Sequence, residues 1–198
     1  MVILVVDNLS PFTSDILDCL DKLGAKCVCR KFSEVGSSNN DGITYIGSNN
    51  YNDNYQYDKV ILSGRKKNNK EINVTNSKII KSCFEKNTPI LGICYGAEIM
   101  ALTFGGSINK MNSHIHGIVS VTVSKPSYLM PDRKSVNVYE SHIYSVSKLP
   151  EGFDTLASSQ YCKHEIFSHS KKKIFGTQFH PEKSGTDGLV LLSNFLKI

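Results

Sequence analysis

Cys94 is set in Gly92-Ile93-Cys94-Tyr95-Gly96, where the apolar run "PILGI" gives way to the helix-like "YGAEIMALTFGG". Glycines on both sides remove side chains that would crowd a sharp strand-to-helix turn. Such a turn lifts the sulfur above the carboxyl edge of a parallel sheet, where open α/β sheets bind ligands. The positive amino end of the following helix favours thiolate there. The chemistry served would be attack through sulfur; the competing reading is a pair of helix-packing glycines beside an inert buried thiol.

A thiolate nucleophile needs a proton shuttle and a group to orient that shuttle. The histidines are His114, His116, His142, His164, His169 and His180. His180 follows the strand-like "KIFGTQF" and opens "HPE", which places it at a strand end on the rim expected for Cys94. Pro181 restricts the backbone there, and Glu182 is close enough in sequence to accept the second ring N–H and stabilise the imidazolium. His114 and His116 alternate on a probable strand without a third ligand, so solvent exposure is expected and no metal site is assigned.

The elements needed to position these residues are legible as alternating strands and helices. "VILVV", "AKCVCR", "KVILSG" and "TPILGI" read as strands. Between and after them, residues 12–24, 76–87 and 95–104 read as helices, the first with Ile16, Leu17, Leu20 and Leu23 on one stripe. This rhythm predicts an open, mostly parallel sheet flanked by helices, with a flavodoxin-like core. After Gly106, "GIVSVTVSK", "SVNVYESHIYSV" and "DTLASSQ" alternate like antiparallel strands, and "GLVLLSNFLKI" reads as a terminal helix. Residues 34–57, rich in Asn, Gly, Ser and Tyr, are expected to be a loop with a short helix or strand at most. A single domain over 1–198 is the expectation.

Composition is that of a globular chain, with 40% hydrophobic and 21% charged residues. No apolar stretch approaches the ~18 residues needed to cross a membrane, and "MVILVVDNLS" lacks the basic region and cleavage site of a secretory signal. A cytoplasmic protein without a membrane role is expected. The net charge of +5 is local, in "GRKKNNK" and "SKKK". Without a nucleic-acid reader motif, these runs suggest solvated loops or a docking surface for an acidic partner. The six cysteines show neither zinc spacing nor a disulfide framework. No phosphate loop or cofactor fingerprint is present.

Taken together, "PILGICYGAEIMALTFGG", "GTQFHPEKSG", "VILVVDNLSPFT", "KVILSG" and "YESHIYSVSKLPEGFDTLASS" resemble, in order and over nearly the whole chain, the class I (triad) glutamine amidotransferases. The resemblance implies that Cys94 attacks the glutamine amide carbon, that His180 moves the protons and that Glu182 holds His180. It implies oxyanion donors from the backbone of Tyr95 and of the loop at Gly64 and Arg65. Ser141 and His142 match positions whose backbone contacts the amino-acid end of glutamine. No cofactor is implied. The partner implied is a separate synthase subunit that takes the ammonia and supplies any ATP binding.

The sequence departs from the family pattern twice. Glu98 stands where the elbow usually carries glutamine, adding a negative charge near the substrate's carboxylate unless it is protonated or paired. The oxyanion loop reads Ser63-Gly64-Arg65-Lys66 rather than continuing with glycine and proline. Within the family, "ESHIYSVSKLPEGFDTLASS" and "ALTFGG" resemble the glutaminase of GMP synthase, whereas "DNLSPFT" resembles anthranilate and aminodeoxychorismate synthase glutaminases. A γ-glutamyl hydrolase and a weakly or non-catalytic partner-binding subunit are the alternatives from other classes.

Overall fold

In the computed structural model, which describes residues 1–38, 42–45 and 57–198, the apolar opening becomes β1 (Val2–Asp7). Ile3, Leu4, Val5 and Val6 are fully buried. A strand buried on both faces needs helices on both sides. Ile3 and Val5 pack with Ile16 and Leu20 of α1 (Thr13–Lys22) and with Leu191, Leu192 and Phe195 of α4 (Gly185–Lys197). Leu4 and Val6 point the other way, toward Ile79 and Ile80 of α2 (Lys70–Lys86) and Met100 of α3 (Tyr95–Thr103). The period of two along the strand thus divides the core into two layers.

The remaining strands of the main sheet are β2 (Lys26–Lys31), β5 (Lys59–Leu62), β6 (Ile90–Ile93), β7 (Ser107–Val123), β8 (Ser135–Lys148), β9 (Phe153–Ser158), β10 (Ile166–His169) and β11 (Ile174–Thr177). They form one sheet in the order β2-β1-β5-β6-β11-β10-β9-β7-β8. The pairs from β2 across to β11 are parallel, and those from β11 to β8 are antiparallel. This is the predicted architecture, a parallel first half continued by an antiparallel second half.

Differences from the sequence reading have local causes. Helix α2 begins at Lys70 rather than Asn76 because the Asn69 side chain caps it, accepting the Glu71 N–H at 2.7 Å. Its first turn, Lys70-Glu71-Ile72-Asn73, holds a single apolar residue, so no apolar stripe announces it. Strand β7 starts ten residues earlier than its apolar pattern because Ser107–His116 is exposed or half-buried throughout. Strand β10 is too short to show alternation. Within the expected loop at 34–57, β3 (Val35–Ser38) and β4 (Gly42–Tyr45) form an antiparallel ribbon; 39–41 and 46–56 lie outside the described residues. Among the described residues no helix is long and apolar enough to cross a membrane.

Candidate active site

Strands β5, β6 and β11 lie side by side and run parallel. Residues just past their carboxyl ends therefore share one rim: Gly64 after β5, Cys94 after β6 and His180 three residues after β11. Topology alone brings these distant stretches together. A methyl placed on Gly64 would lie 3.1 Å from His180 Cε1 and 3.8 Å from Cys94 Cβ.

The elbow at Cys94 is real and tight. Its φ of 51° and ψ of −107° fall where a side chain is disfavoured. The surroundings impose this conformation. The Cys94 N–H donates to the Thr177 carbonyl at 2.7 Å, and its carbonyl accepts from Ala97 and Glu98 N–H, each at 3.0 Å. Gly92 and Gly96 make the turn sterically possible. A Cβ on Gly92 would sit 2.5 Å from the Gly96 carbonyl carbon and oxygen, and one on Gly96 would sit 2.6 Å from the Leu62 carbonyl oxygen. The helix α3 that follows is buried from Tyr95 to Ala101.

On one side His180 faces the Cys94 sulfur, which acts on its titration first as a charge and then as a hydrogen-bond partner; on the other its Nδ1 lies 2.8 Å from Glu182 Oε1. Its backbone is clamped as well. The N–H donates to the Tyr139 carbonyl at 2.9 Å, while the carbonyl accepts from Ser184 Oγ at 2.6 Å. Phe12 packs edge-on against the ring at 4.8 Å between centroids. Burial opposes charge on His180, but the Cys94 sulfur and then Glu182 outweigh it and hold the imidazole well above its ordinary pKa. Burial pushes the Cys94 thiol up and His180 pulls it down, with Glu98 and Glu140 adding to the upward push. A thiol proton thus has a basic, well-oriented acceptor beside it in a dry site.

Around this centre, Arg65 stacks its guanidinium 3.8 Å above the Tyr95 ring and donates to Asn73 Oδ1 at 2.6 Å. The Tyr95 N–H lies in the first turn of α3, where an N–H has no intrahelical acceptor. Glu98 is buried, and its Oε1 accepts from Gln178 Nε2 at 3.3 Å. Burial raises its pKa, against the opposing pull of Gln178, Arg65 and His142. The carboxyl, expected to add a negative charge unless protonated or paired, is paired and held toward its neutral form. Ser141 and His142 lie on β8, opposite His116 and Ile115. Burial lowers the pKa of His142, and its Nδ1 lies 2.8 Å from the Tyr144 carbonyl.

Several residues of this region received no role from the sequence: Gln178 bonded to Glu98, Phe12 and Tyr139 against His180, and the buried carboxyls Glu140 and Glu165. All but Glu165 lie inside the motifs that carry the family resemblance, yet residue type alone gave none of them a role. The chain turns at Asp7-Asn8, with Asp7 Oδ1 accepting from Leu9 N–H at 2.9 Å and Thr13 Oγ1 at 2.7 Å. Asn8 is also a buried fastener, exchanging side-chain hydrogen bonds with Asn76 and donating to the Ser63 carbonyl. His114 and His116 are exposed, and no group of three His, Cys, Asp or Glu among the described residues is placed to hold a metal. A cavity of about 1070 Å³ lined by lysines 125, 171, 172, 173 and 197 lies by the amino end of β11 and does not include Cys94 or His180.

Comparison with known proteins bears on this arrangement. Residues 4–198 match the family model "Glutamine amidotransferase class-I". Over 112 residues the chain is 39% identical to the glutamine-hydrolyzing GMP synthase subunit of Methanocaldococcus jannaschii, covering 56% of this chain and 60% of that protein. Its counterpart in Pyrococcus furiosus is 37% identical over 123 residues, 61% of this chain and 65% of that one. These alignments span less than two thirds of either relative. A crystal structure from Thermoplasma acidophilum, provisionally assigned as the corresponding GMP synthase subunit, superposes with a TM-score of 0.82 at 30% identity, covering 100% of this chain and 92% of that one. A glutamine amidotransferase from Thermotoga maritima shares the fold, with a TM-score of 0.74 at 16% identity over 100% of this chain and 96% of that one. With its elbow cysteine and its strand-end His-Pro-Glu on one rim, the chain belongs to the glutamine amidotransferase class-I family.

Proposed function

We propose that this chain is a cysteine-dependent glutaminase that hydrolyses glutamine to glutamate and passes ammonia to a separate synthase of the GMP synthase type. The observation that carries this reading is His180, held between the Cys94 thiol and the Glu182 carboxylate at the carboxyl edge of the sheet. In the first half-reaction His180 takes the thiol proton as Sγ attacks the side-chain amide carbon. The C–N bond then breaks, and His180 returns the proton to the departing ammonia, leaving a γ-glutamyl thioester. In the second half-reaction His180 takes a proton from water, the hydroxyl adds to the thioester, and the C–S bond breaks to release glutamate and restore the thiol.

Oxyanion stabilisation is assigned to backbone N–H groups of Tyr95 and of the Gly64–Arg65 loop, and contact with the amino-acid end of glutamine to Glu98 and the Ser141–His142 backbone. Identity to the glutamine-hydrolyzing GMP synthase subunits of M. jannaschii and P. furiosus supports the choice of synthase. ATP binding then belongs to the synthase partner. Six free cysteines suit work in the reducing cytoplasm.

The test is intact mass after incubation with a glutamine-mimicking chloroketone. A single adduct, absent in Cys94→Ala and blocked by excess glutamine, is expected; no selective adduct overturns the assignment. The buried carboxyl of Glu98 favours one second reading, hydrolysis of other γ-glutamyl amides. Turnover of γ-glutamyl amines without turnover of glutamine would select it.

A further inference from the structure

Two buried carboxyl side chains, one of which acts electrostatically on the Cys94 thiol, are not used by the proposed reaction. Glu140 on β8 and Glu165 just before β10 are both fully buried. Among the described residues no donor reaches Glu140 Oε1, Glu140 Oε2 or Glu165 Oε2; Glu165 Oε1 alone has one, the Ser159 hydroxyl at 2.6 Å. Each carboxyl nevertheless moves the other's pKa through a side-chain hydrogen bond, that of Glu140 down and that of Glu165 up. An ionised carboxylate only accepts, so this contact requires a proton between them.

A second contact has the same character. His142 Nδ1 lies 2.8 Å from the Tyr144 carbonyl, which only accepts, so Nδ1 carries the ring hydrogen. His142 Nε2 then faces Glu140 Oε2 at 2.9 Å. Two bare lone pairs at that separation, buried away from water, repel; a proton on either atom turns the contact into an attraction. Glu165, Glu140 and His142 are thus a row of three titratable groups joined by two protons, with a net charge of zero. Losing one proton would leave a net negative charge in a dry core.

We propose that this proton-sharing row is a positioning and charge-setting device for Cys94: it fastens β8 to the segment entering β10 and keeps the buried groups that act on the nucleophile neutral. Each group acts through its neighbours. Glu165 accepts the Gln178 N–H on its backbone at 2.8 Å, and Gln178 holds Glu98. Tyr139, next to Glu140, holds the His180 backbone. The titratable groups facing the row are Glu98 and Cys94 at the head of α3, His180 beyond β11, and Cys162 in the β9–β10 connection. Negative charge on Glu140 raises the Cys94 pKa. Burial, then Glu140, pushes Glu165 up to about 9, so the proton it shares with Glu140 stays at neutral pH and leaves in alkaline solution.

The inference rests on Cys94 being the nucleophile of the proposed reaction, and its test is read on the thiol alone, without glutamine. The rate of Cys94 alkylation by iodoacetamide, resolved from the other cysteines by peptide mass, is followed against pH for the wild type and Glu165→Gln. The amide still donates to Glu140 and accepts from Ser159 but has no proton to lose. Equal rates near neutrality are expected, with the variant about threefold to tenfold faster well above pH 9, where the wild type carries the extra charge. Infrared spectra of the wild type at neutral pH should contain the carbonyl band of a protonated carboxylic acid, weakening as the pH rises through about 9. A variant-to-wild-type rate ratio that does not change with pH overturns the proposal. A wild type without the protonated-acid band at neutral pH overturns it too, and that measurement holds even if Glu165→Gln does not fold.

Discussion

The guanidinium of Arg65 lies 3.8 Å above the ring of Tyr95, and both side chains converge on Oδ1 of Asn73, at 2.6 Å from Arg65 Nη1 and 3.0 Å from the tyrosine hydroxyl. This contact ties the loop after β5 to α2 and to the first residue of α3. In a loop without the family's usual glycine and proline, a stacked fork supplies the rigidity that backbone chemistry does not.

Arg65→Ala is therefore expected to destabilise the fold by about 1 kcal/mol, the range of a partly desolvated cation–π contact. Arg65→Lys should recover less than half of that, because the planar stack is lost with the guanidinium. Urea denaturation midpoints decide this; a full recovery by lysine would mean that charge alone holds the loop.

Cys94 has a φ of 51°, a conformation that glycine tolerates better than any residue with a Cβ. Replacing alanine by glycine in a folded element normally costs roughly 0.5–1 kcal/mol. Here the order is expected to reverse, with Cys94→Gly at least as stable as Cys94→Ala and both without glutaminase activity. Thermal unfolding of the two variants is the measurement, and a clearly less stable glycine variant would show that the elbow stores no strain.

Glu98 is held toward its neutral form by burial, with Gln178 as its hydrogen-bond partner. With its folded pKa above the unfolded value, its contribution to stability is complete below the ordinary carboxyl range and is lost as pH rises through the folded pKa. Glu98→Gln keeps an acceptor for Gln178 and removes that loss. The variant should match the wild type in acid and exceed it in stability at neutral and alkaline pH. It should also lower the KM for glutamine, since an amide adds N–H donors and removes charge. An unchanged or higher KM would mean that the carboxyl has a binding role of its own.

Glu182 is the ring partner of His180, 2.8 Å from Nδ1, and contributes to holding the imidazole well above its ordinary pKa. Glu182→Gln preserves an acceptor but withdraws the charge. A drop in kcat/KM of about 10–100-fold is expected, with the alkaline limb of the pH profile moved to lower pH. A drop of that size with an unshifted limb would assign Glu182 to orientation only.

The strand-end positions of Cys94 and His180 were legible because each ends an apolar run, and a parallel sheet collects such ends on one rim. Helix α3 and the glycines around Cys94 were legible for the same local reason. What escaped was decided by partners distant in sequence. Helix α2 starts early through a side-chain cap rather than an apolar pattern, and β7 is long because β8 pairs with it, not because its own residues alternate.

Local pattern thus determined the element types, the elbow, the His-Pro-Glu strand end and, through them, the family. Only the tertiary structure decided the state of Glu98, the anchoring of Arg65 and the burial of Glu140 beside Glu165. A side chain's charge state is set by what surrounds it once water is excluded, and residues 98 and 178, or 140 and 165, become neighbours only when the strands assemble.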